Sequence, residues 1–315
     1  MSEHSRVNNY NSGFVVVKPT TFSIRVYTLM QHITSKLKGL DDQHALNRAI
    51  SRLKRQESGI RTAFLNAYVY TCGKVYFERM RRFLPRADDP CSSVSKINCS
   101  VLVVHNNWIY TIEAKIYRFR EHLMWLYDGE DQYYSSKTRK YLTYINPAPA
   151  ATNATLSSSQ QRKRQVLALK TALTIGHLLN RAVILPKFYC GTKAFECPLN
   201  SLVYIRRFNA FFKNLYRESS FLQHPRVSDA VKQSISVYEL VLHTTHSLVT
   251  HNVKTITSNN VMSLFQNAEN RVINYDILDE IQVIFSNASI GITFNERMRK
   301  AIRLSDYRQQ NVRAF

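Results

Sequence analysis

The chain changes character once. Between residues 146 and 164 it reads NPAPAATNATLSSSQQRKR, a run of small and polar residues with two prolines and no apolar periodicity. A run of this kind buries too little to hold a core and reads as a linker. It predicts a division into residues 1–145, a linker over 146–164 and residues 165–315. A chain of 315 residues is long enough for one large or two ordinary domains.

Both parts alternate strand and helix signals. Residues 14–17, FVVV, predict a short strand closed by Lys18-Pro19. Phe22, Val26, Leu29, Ile33 and Leu37 recur at helical spacing, so residues 21–38 predict a helix. Asp41 and Asp42 stand where an N-cap belongs, ahead of a second helix in HALNRAISRL. Residues 68–77 and 101–104 predict further strands, and 112–127 a helix. After the linker, QVLALKTALTIGHLLNR predicts a helix and AVILP a strand. The alternation is that of an α/β chain.

The 43 Lys and Arg against 22 Asp and Glu leave a net charge of +21, which suits an anionic partner: nucleic acid, a phosphate-bearing substrate or an acidic membrane face. Many of these cations line helix-like stretches as a solvated face would. No helix-turn-helix or base-stacking sheet is recognisable, so nucleic acid is not expected as the partner. There is no run of 18 apolar residues, so no membrane anchor is expected in the chain, and MSEHSRVNNYNSG lacks the apolar core of a signal peptide. Three sequons, at Asn98, Asn153 and Asn287, are compatible with a luminal life. The five cysteines fit no CxxC metal pattern; Cys91 with Cys99, and Cys190 with Cys197, could close local disulfides or remain thiols. His243, His246 and His251 recur without an acidic neighbour, and Arg217-Glu218 reads as an internal ion pair.

Residues 101–125 read VLVVHNNWIYTIEAKIYRFREHLMW. In open α/β sheets, ligands gather at the carboxyl ends of strands. His105 follows VLVV directly and is placed at such an end. A neutral imidazole there coordinates a divalent ion or donates to a phosphate oxygen. Asn106 and Asn107 suit a hydroxyl-rich ligand, and Trp108 supplies an apolar platform. Lys115 and Arg118, on the next helix, suit a diphosphate. A capped strand end with a packed indole would use the same residues, and physics alone leaves both open.

VVHNNWI followed by KIYRFREHLMW resembles the carboxy-terminal signature of the nucleotide-diphospho-sugar transferase family, which includes plant arabinosyl- and xylosyltransferases. Upstream, YNSGFVVVKPT and DDQHALNRAI resemble the family's N-[ST]-G-F block and its DQ-x-x-x-N block, with Asn11, Gly13, Asp42, Gln43 and Asn47 on the fixed positions. The blocks span roughly residues 8–127. LKTALTIGHLLNRAVILPKFYCG, ECPLNSLV and YRESSFLQHP resemble the downstream region of extended members.

The resemblance implies a partial GT-A-like, Rossmann-type sheet up to about residue 145, followed by a smaller accessory α/β domain. It implies sugar transfer from a nucleotide-diphosphate donor to a hydroxyl of a glycan or protein, with a divalent metal (Mn2+ or Mg2+), in the Golgi or secretory lumen. By the same resemblance His105 is the metal-side residue, and Asn11, Gly13, Gln43, Asn106, Asn107 and Lys115 hold the donor. Asp42 is the catalytic carboxylate, although an N-cap role suits it as well. The sequence departs from the pattern in two places. No Asp-x-Asp follows an apolar run, and Thr111 stands where the family has glycine after HNNW. The expectation is therefore of a chain lacking the family's amino-terminal Asp-x-Asp half. Such a chain is truncated or inactive as an enzyme; a basic nucleic-acid-binding module and a non-catalytic scaffold are the alternatives.

Overall fold

The computed structural model describes residues 10–57, 61–65, 69–73, 76–77, 101–107, 109, 111–129, 131–146, 157–190, 195–238, 248–250, 253–265, 272–275 and 281–302. Trp108, Cys91, Cys99, the three histidines at 243, 246 and 251, and the sequons at Asn98 and Asn153 lie outside these residues. The described residues form a mixed α/β structure, as expected. Contacts divide the chain between Tyr110 and Thr111 into two compact units.

The first unit opens with two helices, α1 (Thr21–Lys36) and α2 (Asp42–Gln56). Thr20 and Ser23 close a reciprocal capping box at the start of α1. Asp41 caps α2 by accepting from the His44 amide, and Lys54 and Arg55 sit in its last turn, where the helix dipole favours cations. Val26 of α1 packs with Leu46, Ala49, Ile50 and Leu53 of α2, at the spacing of a single helical face. Each of the larger buried side chains contributes about 1.5–3 kcal/mol. The expected strand at 14–17 does not form. No described strand pairs with it, its valines are exposed (Val16 at 69%), and unpaired backbone gains nothing from extension. Two short strands, β1 (Tyr70–Cys72) and β2 (Val103–His105), pair in parallel, with Cys72 opposite His105.

The second unit begins with α3 (Ile112–Glu121). This helix ends six residues earlier than the expected 127. Leu123 turns left-handed at φ +58°, its amide reaches the Arg120 carbonyl, and the Met124 amide reaches that of Phe119. That is a Schellman stop with leucine where glycine is usual. There follow β3 (Lys140–Tyr144), α4 (Ser158–Leu178), β4 (Arg181–Ile184), the hairpin of β5 (Phe188–Cys190) and β6 (Phe195–Cys197), α5 (Ile205–Phe212) and β7 (Tyr216–Arg217). The remainder is α6 (Asp229–Lys232), β8 (Ile235–Tyr238), β9 (Leu248–Thr250), β10 (Val253–Thr257), α7 (Ser258–Phe265), β11 (Val272–Tyr275), β12 (Ile281–Ile284) and α8 (Ala288–Ala301). Five strands form an all-parallel sheet in the order β7-β4-β3-β11-β8. A smaller sheet has the order β12-β10-β9.

The division expected at 146–164 is placed differently. β3 lies before that stretch and β4 after it, yet they are neighbours in one sheet. Parallel neighbours need a crossover, and α4 is that crossover. It starts at Ser158, inside the stretch that reads as a linker, on a capping box between Ser157 and Gln160. Its polar first turns are put to use: Arg162 donates to the carbonyls of Ser201 and Leu202 at 2.7 and 3.2 Å, and Gln165 bridges Asn146 and Tyr189. Further along, Gly176 lets α4 approach β4. A Cβ there would lie 2.7 Å from Val183 Cγ2 and 2.8 Å from the Arg181 carbonyl.

Arg217 and Glu218 are both buried, but they do not form the expected direct ion pair. Arg217 donates to the carbonyls of Tyr216 and Tyr133, and its guanidinium lies 4.0 Å from the Tyr133 ring centre. The Tyr133 hydroxyl then donates to Glu218 Oε2 at 2.6 Å, so the phenol relays between the two charges. Cys190 and Cys197 do close a disulfide across the β5–β6 hairpin. Among the described residues no helix is long and apolar enough to cross a membrane.

Candidate functional site

The amide of Asn107 donates back to the His105 carbonyl at 2.7 Å, a tight turn that stops β2 and exposes no extra backbone. Because β1 and β2 are parallel and in register, Gly73 arrives beside this turn. A Cβ on Gly73 would sit 2.6 Å from Asn106 Oδ1 and 3.0 Å from Asn106 Cα and the Asn107 carbonyl. Only glycine lets the two strand ends lie this close. Asn106 is buried, and Asn107 Oδ1 is a buried acceptor with no hydrogen-bond partner among the described residues.

The 10–13 segment comes to the same place. Asn11 Oδ1 accepts from the Gly13 amide at 2.8 Å, an Asx turn that folds the chain locally. Beyond it, the His105 imidazole lies against the α-carbon of Gly13. A Cβ there would be 2.0 Å from Cε1 and 2.2 Å from Nε2, so a side chain at residue 13 would require the ring or the loop to shift. Asn47 fixes the segment from the other side: its Oδ1 accepts from the Tyr10 amide and its Nδ2 donates to the Tyr10 carbonyl, both at 2.7 Å. The same Nδ2 donates to the Gln43 carbonyl at 2.7 Å, which ties the first turn of α2 to the loop.

Asn11, Gly13, Gln43, Asn47, His105, Asn106 and Asn107 are therefore joined by a continuous chain of contacts, or by the turn itself, within the first unit. Asp42 is the first residue of α2; it is exposed and accepts from the Gln43 amide at 2.9 Å. Capping belongs to Asp41, whose carboxyl is held below the usual carboxylate range by the His44 backbone amide and then by the His44 side chain. Asp42 is thus spared that task. Lys115 lies on α3 and belongs to the second unit.

One group was not singled out from the sequence. Tyr10 stacks on Phe64 with ring centres 5.2 Å apart, and Lys54 donates to its hydroxyl at 2.9 Å. Burial pushes the phenol's pKa up, but hydrogen bonds with Lys54 and Thr62 and the Lys54 charge outweigh it, so the net shift is downward. Tyr10 and Asn11 form part of the wall of a cleft of about 760 Å³, with Val15–Val17, Phe22 and Phe64 among its apolar lining. A lone tyrosine beside a motif carries no sequence signal of its own; its partners come from 44 and 52 residues away.

The described residues do not by themselves make a metal centre, since no three His, Cys, Asp or Glu side chains among them converge. His105 offers one imidazole. An ion held mainly by phosphate oxygens and water needs little more from protein, but a closed protein ligand set does not fit these residues.

Residues 2–119 match the family model described as nucleotide-diphospho-sugar transferase. The match covers every residue of the site described above and ends before α4. No curated protein and no solved structure matches the chain.

Proposed function

We propose that this chain, whose residues 2–119 match the nucleotide-diphospho-sugar transferase model, acts on a nucleotide-diphosphate sugar at the Gly13–His105 contact. The reaction is transfer of the sugar to a hydroxyl of a glycan or protein. The bond from the anomeric carbon to the diphosphate breaks, and a bond from that carbon to the acceptor oxygen forms. The acceptor's proton passes to a base, for which Asp42 is the exposed carboxylate at hand. The carboxamides of Asn11, Gln43, Asn106 and Asn107 orient donor hydroxyls. A divalent ion, Mn2+ or Mg2+, would use His105 as one ligand and supply charge stabilisation to the leaving diphosphate. The Cys190–Cys197 disulfide supports an oxidising compartment, the Golgi or secretory lumen.

The observation that carries this reading is the imidazole laid on Gly13. It joins two motif blocks more than ninety residues apart, and a Cβ at residue 13 would force the ring or the loop to move. The missing Asp-x-Asp favours a second reading, in which the chain binds donor without turning it over. Release of nucleoside diphosphate from a panel of uridine and guanosine diphosphate sugars, with glycan acceptors, separates the two. Turnover that falls at least about 100-fold in Asp42→Asn supports transfer with Asp42 as base. Binding without turnover supports the second reading, and neither binding nor turnover rejects both.

A further inference from the structure

We infer that Asn287 is an acceptor for an N-linked glycan. Asn287-Ala288-Ser289 is the one sequon among the described residues, and all three residues are exposed. Asn287 is the N-cap of α8. Its Oδ1 accepts from the Ser289 amide at 3.1 Å, the Ile290 amide at 3.3 Å and the Ser289 hydroxyl at 2.8 Å. Those three donors fix the amide plane and leave Nδ2 with no hydrogen-bond partner among the described residues. Nδ2 is the atom a glycan takes. Transfer from a lipid-diphosphate-linked oligosaccharide forms a bond from the anomeric carbon to Nδ2 and breaks that carbon's bond to the diphosphate. The lipid diphosphate leaves, and one amide proton goes to solvent. The carbonyl oxygen is untouched, so the cap and the glycan coexist on one side chain.

Two independent features agree. The Cys190–Cys197 disulfide belongs to an oxidising compartment, the kind in which such glycans are added. The first turns of α8 also expose Ile290 at 46% and Ile292 at 68%, apolar surface that a neighbouring glycan would screen from other chains. The inference does not depend on the transferase reading, since a chain that binds no donor would carry the glycan equally.

The test directs the full chain into the secretory lumen of a eukaryotic cell with a cleavable leader. Purified protein is treated with peptide N-glycanase in heavy-oxygen water, and the peptide containing residue 287 is weighed. The expected result is conversion of residue 287 to labelled aspartate, abolished in Ser289→Ala and retained in Ser289→Thr. Asn287→Asp keeps the cap and loses the glycan, so its denaturation midpoint reads the glycan's effect apart from the cap's. An unlabelled Asn287 in chains whose Cys190–Cys197 bond is closed overturns the inference. So does labelling that survives Ser289→Ala.

Discussion

At position 13 the nearest neighbours of a methyl group would be Cε1 and Nε2 of His105, at 2.0 and 2.2 Å, so Gly13→Ala must displace the ring or the loop. We predict a loss of about 1–3 kcal/mol in urea unfolding, the usual consequence of forced overpacking, together with weakened donor binding. Thr111 shows the opposite situation. It sits at φ +70° and ψ 147°, a region glycine occupies freely and threonine enters only under strain. Its hydroxyl accepts from the Ala114 amide at 3.3 Å and so caps α3, a partial compensation. Thr111→Gly loses that cap, worth a few tenths of a kcal/mol, and adds backbone entropy to the unfolded chain, but it removes the strain. We predict a net gain of about 1 kcal/mol, read as a higher denaturation midpoint; a lower midpoint would show that the turn is unstrained. The resemblance had marked this position as the family's glycine, and the backbone angle supplies the reason. The conjunction of Gly13 and His105 was legible as two motif positions. Their direct contact was not, because nothing in either block states what the other packs against.

Among the elements, those set by apolar periodicity were readable and those set by backbone geometry were not. α1 and α2 follow from residues such as Val26, Leu46, Ile50 and Leu53, whose spacing survives burial unchanged. The end of α3 was misplaced because Leu123 performs a glycine's task in the Schellman stop. The start of α4 was missed because Ser157 to Arg164 carries no apolar stripe; its polar side chains are spent on the cap and on the carbonyls of Ser201 and Leu202. If the capping box nucleates this end, Ser157→Ala should cost about 1 kcal/mol and raise amide exchange in the first turn of α4 before anywhere else. Unchanged exchange at residues 158–164 would return that stretch to the linker it resembles in composition.

For the whole molecule, the 146–164 stretch joins two strands of one parallel sheet, which composition cannot reveal because pairing is a property of distant segments. The same sheet's flank buries a titratable group. His224 is fully buried and stacks on Tyr134 with ring centres 3.6 Å apart. Its Nδ1 accepts from the Arg226 amide at 3.2 Å, which leaves Nε2–H to donate to the Trp125 carbonyl at 3.2 Å. This is a neutral ring, and burial holds its pKa below the ordinary value despite the opposing bond to Trp125. The unfolded chain takes up a proton near pH 6.5, the folded ring only at lower pH. Stability is therefore complete above about pH 6.5 and falls as pH drops below it, by up to about 1.4 kcal/mol per pH unit. His224→Gln should flatten that part of the profile in chemical denaturation, and an unaltered slope would assign the effect to other groups.

In the proposed function His105, resting on Gly13, faces a nucleotide-sugar's diphosphate. Calorimetric titration of uridine and guanosine diphosphate sugars in the presence of manganese, into this chain and into His105→Ala, tests it most directly. We predict binding to the parent chain and affinity at least about tenfold weaker in the variant, a loss of about 1.4 kcal/mol or more. Equal affinity in the two proteins, or no binding to the parent, would contradict it.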